Sequence, residues 1–147
     1  MYMPNFHSIV RGNGENHLDL MGLFFGAGLN YDGYSIEELW PTYTDGSYFK
    51  SDGTTDTNAS FSYAIEDVSK YDFVIIPNVA GANLATYSGL RDNQGSGAFS
   101  KKYISYKSGS SLVTTAYAIF PVGSTTWACI TAASGLKLPV IGFVKDV

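Results

Sequence analysis

The sequence predicts an all-β protein: an antiparallel, jelly-roll-like β-sandwich preceded by an irregular N-terminal arm. Hydrophobic residues alternate with small or polar ones in successive short runs, the period of a half-buried strand. Clusters of Gly, Asp and Ser separate the runs, and no long helical periodicity appears. At 147 residues the chain has the size of one domain. Such a length buries roughly 68–70% of the unfolded surface, enough to fold without covalent staples. The arm is read as residues 1–35 and the sandwich as residues 36–147.

The arm shows no sustained alternation, because Gly12, Gly14, Gly22, Gly26, Gly28 and Gly33 interrupt every pattern. Residues 16–25 admit a short helix, with Asn16 as N-cap and Asp19 in the first turn. They also admit an apolar segment that docks onto another chain. The adjacent Phe24 and Phe25, beside Leu23 and Met21, fit poorly on one face of a lone short helix. Docking is therefore the favoured reading, with Leu20, Met21, Leu23, Phe24 and Phe25 as its contacts.

Trp40, Tyr43, Tyr48 and Phe49 lie in a weakly patterned, turn-rich stretch, which suggests their exposure. These four are the candidate binding residues. The competing reading has Trp40 and Phe49 closing one end of the sandwich. Strands then follow in order. Phe61, Tyr63 and Ile65 alternate with Ser60, Ser62 and Ala64; Tyr71 to Ile76 is apolar apart from Asp72 and stops at Pro77. Further strands are expected at residues 99–106, 112–120, 125–132 and 139–145. Trp127, alternating with Cys129, is read as core. Turn chemistry sits at Asp45-Gly46, Asp52-Gly53, Gly95-Ser96-Gly97, Ser108-Gly109 and Ser134-Gly135. Ala80 to Ser96 is the one long connection, expected to cross between sheets as a loop.

Composition narrows the function. The formal charge is −4, from 9 basic and 13 acidic residues, and Lys101-Lys102 is the lone adjacent basic pair. A nucleic-acid binder needs a basic patch to displace counterions, so nucleic acid is not an expected partner. Leu18 to Leu29 is broken by Asp19 and three glycines and falls short of the ~20 apolar residues of a membrane span. No basic region precedes it, so neither membrane insertion nor a cleaved signal peptide is expected. Charged residues make up 15% while Tyr numbers 11 and Gly 16, which suits a hydroxylated surface and packing between subunits. The single cysteine, Cys129, lies in an apolar run and reads as a buried, inert thiol.

No catalytic constellation emerges, and the chain is not expected to be an enzyme. His7 and His17 lack metal-ligand spacing. Asp45, Asp52 and Asp56 lack the ligand order of a calcium loop. Glu37 and Glu38 are adjacent, so a strand would send them to opposite faces; Glu66 and Asp67 share that property. No cofactor or metal is expected. Aromatic side chains offer the better chemistry, because flat rings stack on sugars or anchor a protein partner.

One long pattern carries a resemblance. Leu39-Trp40, a turn-rich spacer, then Phe61-x-Tyr63-x-Ile65-x-Asp67-Val68-Ser69-x-Tyr71-Asp72-Phe73-Val74-Ile75-Ile76 resembles β-sandwich modules of bacteriophage tail-fibre and host-specificity proteins. Ser124-Thr125-Thr126-Trp127 and Val140-Ile141-Gly142-Phe143 are similar to the way those modules close. The likeness spans about residues 36–147; Pro41 departs from it, and residues 1–35 have no counterpart in it. The resemblance implies a virion structural protein of a tail fibre, baseplate or capsid decoration, assembled in the host cytoplasm. Its arm would dock onto other virion structural proteins while the sandwich meets a host-surface glycan. It also implies a homo-oligomer, a trimer by analogy, and carries over no catalytic residue. The alternative is a free-standing, lectin-like carbohydrate-binding module.

Overall fold

The computed structural model describes residues 33–95, 97–100, 102, 103, 105–107, 109 and 116–145. The arm's expected docking residues, Leu20, Met21, Leu23, Phe24 and Phe25, lie outside the described residues, as do His7 and His17.

The chain is an antiparallel β-sandwich. Its elements are β1 (Tyr34–Leu39), β2 (Thr44–Phe49), β3 (Thr55–Asp67), β4 (Phe73–Ile76), α1 (Leu84–Tyr87), β5 (Gly89–Arg91), β6 (Ser105–Lys107), β7 (Tyr117–Pro121), β8 (Trp127–Ala133) and β9 (Val140–Lys145). A five-stranded sheet has the order β1-β9-β4-β7-β6, and a four-stranded sheet the order β2-β3-β8-β5. Every strand pairing is antiparallel.

Alternation builds the layer between the sheets. Val74, Ile76, Ala118, Phe120 and Val140 face inward from one sheet, against Leu90, Ala128, Ile130 and Ala132 from the other. Val68, Val79, Leu84, Val122 and Leu138 join the same cluster from the connections. Each such side chain, fully buried, contributes about 1.5–3 kcal/mol if it is as large as Val or Leu.

The Asp67-to-Asp72 turn locks the two sheets at one end. Asp67 Oδ1 accepts from the Ser69 backbone N–H and hydroxyl, a local side-chain turn. Asp72 accepts the Lys145 N–H through Oδ2 at 2.7 Å and the Val122 N–H through its carbonyl, tying β9 to the exit of β7. Between them, Tyr71 lays its ring on Gly142, where a Cβ would stand 2.4 Å from ring carbon Cε1. Only a residue without a side chain lets the ring and strand approach so closely.

Several local expectations change. β1 starts at Tyr34, two positions before the expected boundary, because Tyr34 and Ser35 pair with Lys145 and Val144. Asp45-Gly46 is no hairpin turn. It lies inside β2 as a bulge, with Gly46 at φ 95° and the register slipping between Asp45 and Ser47. The connection from Ala80 to Ser96 contains α1 and β5, the edge strand against β8. Among the described residues, the strand expected at 99–106 is confined to Ser105–Lys107. Phe99 is drawn instead to the four-stranded sheet, and Ser100 N–H bonds Leu90 O. Trp127 is half-buried rather than core, because β8 turns its Trp127, Cys129 and Thr131 side away from the inter-sheet layer.

Candidate functional site

The outer face of the four-stranded sheet is where chemistry-bearing side chains gather. Register places Phe61, Tyr63 and Ile65 of β3, Cys129 and Thr131 of β8, and Gly89 and Arg91 of β5 on this face. The bulge at Gly46 then changes its shape. Asp45 still pairs with Ser62, yet Ser47 already pairs with Thr57, so residues 58–61 stand opposite a single glycine. This mismatch bends the hairpin, and its distal half folds back over β8. Phe49 N–H bonds Thr131 Oγ1 at 2.9 Å, and the hairpin loop reaches β5, where Arg91 Nη1 donates to Gly53 O.

Two environments result. Beneath the fold-back is a small second core. Phe49 has no exposure and meets Tyr63 edge-on at 5.5 Å and Phe99 at 6.1 Å. Arg91, 2% exposed, lies over the Phe49 ring, 5.2 Å from its centroid. Its guanidinium donates to the carbonyls of Gly53, Gly97 and Gln94. Among the described residues no carboxylate pairs with it, so backbone dipoles and a ring face hold the charge. Burial pushes the neighbouring Cys129 thiol up to about 11, against a smaller opposing pull from Arg91. The thiol therefore stays protonated and unreactive at neutral pH.

At the margin of the fold-back lies an open ledge. Tyr48, Phe61 and Tyr87 are each half-buried and in mutual contact. Their centroids are 5.2 Å apart for Tyr48–Phe61, 5.3 Å for Tyr48–Tyr87 and 6.3 Å for Phe61–Tyr87. Each of the three residues keeps part of its surface open to solvent, and their rings lie side by side. Exposed Thr57, Asn58 and Ser60 of β3 follow Asp56, the partner of Tyr48, along the strand. Hydroxyl and amide groups thus lie along the strand that carries Phe61.

The four expected binding residues do not form one site. Phe49 is core and offers no face to a ligand, because the folded hairpin drives it under Arg91. Tyr43 packs on the main core, and its hydroxyl donates to Leu138 O at 2.9 Å. Its pKa is raised, chiefly by burial. Trp40 is half-buried and donates its indole N–H to Glu38 Oε1 at 2.9 Å. Only Tyr48 reaches the ledge. Sequence reasoning assigned Phe61 to an ordinary strand and missed Tyr87, which sat in an expected loop. The signal for Tyr87 was faint: one aromatic residue before a buried Ser88-Gly89-Leu90 run.

The chain matches no family model, and comparison with curated proteins and with solved structures finds no counterpart. Its chemistry must be read from its own residues.

Several acidic residues are engaged by neighbours of their own. Glu37 receives the Tyr71 hydroxyl on Oε2 and Lys70 Nζ on both oxygens, at 3.0 Å and 2.8 Å. Lys70 and then Tyr71 lower its pKa. Glu66 is raised by burial and by Asp67. Asp52 accepts from the Thr54 N–H and hydroxyl, and Asp56 from the Thr57 N–H, so each serves its own turn or strand. Among the described residues no three His, Cys, Asp or Glu side chains converge on a metal-sized site.

Proposed function

We propose that the chain is a non-enzymatic attachment protein, a bacteriophage virion structural protein whose sandwich turns the Tyr48–Phe61–Tyr87 ledge toward a glycan on the host surface. The observation that carries this reading is the ledge itself. Three half-buried rings within 6.3 Å of one another, beside hydroxyl and amide groups, suit the apolar face and polar edge of a sugar. The rings are preorganised by the fold-back, so little side-chain freedom is lost on binding. The resemblance of Phe61 to Ile76 to phage host-specificity modules supports the placement on a particle.

The test is a glycan array with the intact chain, followed by titration calorimetry on the best ligand. Tyr87→Ala is expected to weaken binding more than tenfold, the effect of losing a stacking anchor worth ~2 kcal/mol. A chain that binds no glycan, or a Tyr87→Ala variant that binds as tightly as the parent, would remove the reading. The free-standing lectin is favoured by the same ledge, which needs no particle to work. Mass spectrometry of purified particles separates the two: a virion protein is found there at stoichiometric abundance, a lectin is not.

A further inference from the structure

A carboxylate stands at the edge of the aromatic ledge. Tyr48 and Asp56 are direct cross-strand partners, so their side chains leave the hairpin on one face, with Cβ atoms about 4.5–5.5 Å apart. Asp56 is exposed, while Tyr48 is held against Phe61 and Tyr87. One carboxylate oxygen is oriented by the backbone, because Asp56 Oδ1 accepts the Thr57 N–H at 2.8 Å. The other, Oδ2, has no partner among the described residues. Nearby polar atoms are more committed. Asn58 Oδ1 accepts the Ser60 N–H at 2.9 Å. The bases around the hairpin belong to its tip: Lys102 Nζ reaches Ser51 O and lies over the Phe99 ring, and Lys50 shares its turn with Asp52.

We infer that Asp56 selects the ligand of the ledge: a neutral sugar with adjacent hydroxyls, to the exclusion of carboxylated or sulfated sugars. The inference rests on the reading of the ledge as a glycan site. Stacking on Tyr48, Phe61 and Tyr87 reads only the apolar C–H face that most sugar rings offer. An ionised carboxylate is acceptor-only, so it reads the ring's edge, where hydroxyls donate. Two neighbouring hydroxyls can share Oδ2 and the remaining lone pair of Oδ1 in charge-assisted bonds. An anionic group at the same place would bring like charges together and leave Asp56 without a donor.

The test is an array of gluco-, manno- and galacto-oligosaccharides, each beside its uronic-acid and 6-sulfated counterparts, probed with the full chain. The parent is expected to bind a neutral member at least tenfold tighter than its anionic counterparts. Asp56→Asn keeps an acceptor for the Thr57 N–H and so keeps the hairpin. It should weaken neutral binding about tenfold, the effect of one hydrogen bond to a charged group, and shrink the neutral-over-anionic ratio. Tyr87→Ala should weaken both kinds of sugar alike and leave that ratio unchanged. A parent that prefers or equally accepts anionic sugars overturns the inference, as does an Asp56→Asn variant with the parent's ratio; in both cases binding lost in Tyr87→Ala leaves the ledge standing. A parent that binds no oligosaccharide removes the glycan reading itself, and the role of Asp56 with it.

Discussion

The outer faces of the two sheets differ in chemistry. On the four-stranded sheet, the covering layer is the sheet's own hairpin, folded back at Gly46 and pinned by polar bonds from Thr131 and Arg91. Its interior mixes rings with a guanidinium, and its margin leaves Tyr48, Phe61 and Tyr87 half open. On the five-stranded sheet the centre of the outer face is aliphatic and aromatic, with Ile75, Ile141 and Phe143 shut off from water, while Glu38 and Lys145 of the β1–β9 pair lie on the same face. The contrast teaches where specificity can reside. A face closed by hydrogen-bonded backbone has a defined margin with polar atoms and rings, suited to selecting a ligand. An aliphatic and aromatic face supplies stability through burial and little selectivity.

The largest effect that would test this contrast comes from the second core. Phe49→Ala is expected to destabilise the fold by about 3–5 kcal/mol, as for a large buried aromatic. Tyr48→Ala, one residue away and half-buried, should cost far less. Urea unfolding of both variants checks the pair. Equal costs would show that the fold-back is a loose flap with no core beneath it.

Next in size is the tie at the sandwich end. Gly142→Ala puts a methyl group into the Tyr71 ring, which must swing away and abandon Glu37. A loss of about 1–3 kcal/mol is expected, the range for overpacking a filled site. Tyr71→Phe/Gly142→Ala should lose less than the separate costs combined, because both changes break one contact. Additive losses in thermal unfolding would contradict that coupling.

The smallest effect is a matter of pH. Glu37 has its pKa lowered from 4.5, so it adds stability above that value that is lost as pH falls through its folded pKa. Glu66 has its pKa raised from 4.5, so folding favours its protonated form, and stability declines as pH rises from 4.5 through its folded pKa. Glu66→Gln should therefore raise the unfolding midpoint at pH 7 and leave it nearly unchanged at pH 4. Glu37→Gln should lower it at pH 7 and have little effect at acid pH. Identical pH profiles for the two variants would show that the opposed environments do not govern these carboxylates.

Much of the sandwich was legible because strands write their burial into the chain, as alternation where one face is buried and as apolar runs where both are. Phe73–Ile76, Trp127–Ala133 and Val140–Lys145 were each marked by runs of apolar residues ending at turn formers. β2 and β5 were not. Thr44–Phe49 contains Asp45-Gly46, a pair that signals a turn in isolation and becomes a bulge when β3 pairs along both sides of it. Gly89–Arg91 is too short to show a period. The candidate site was less visible still. Tyr48 was named for its turn-rich neighbourhood, but Phe61 and Tyr87 join it only because a bent hairpin brings separate segments together.

Side-chain alternation and turn chemistry, both local properties, were enough to specify strands and an antiparallel class. Which face each aromatic would meet was not a local property. Phe49 and Tyr48 are neighbours with like chemistry, yet one lies beneath a buried arginine and the other opens on solvent. That choice was made by the slip at Gly46, whose consequence depends on β8 and β5 lying beneath the hairpin, and such long-range geometry has no signature in a neighbouring residue.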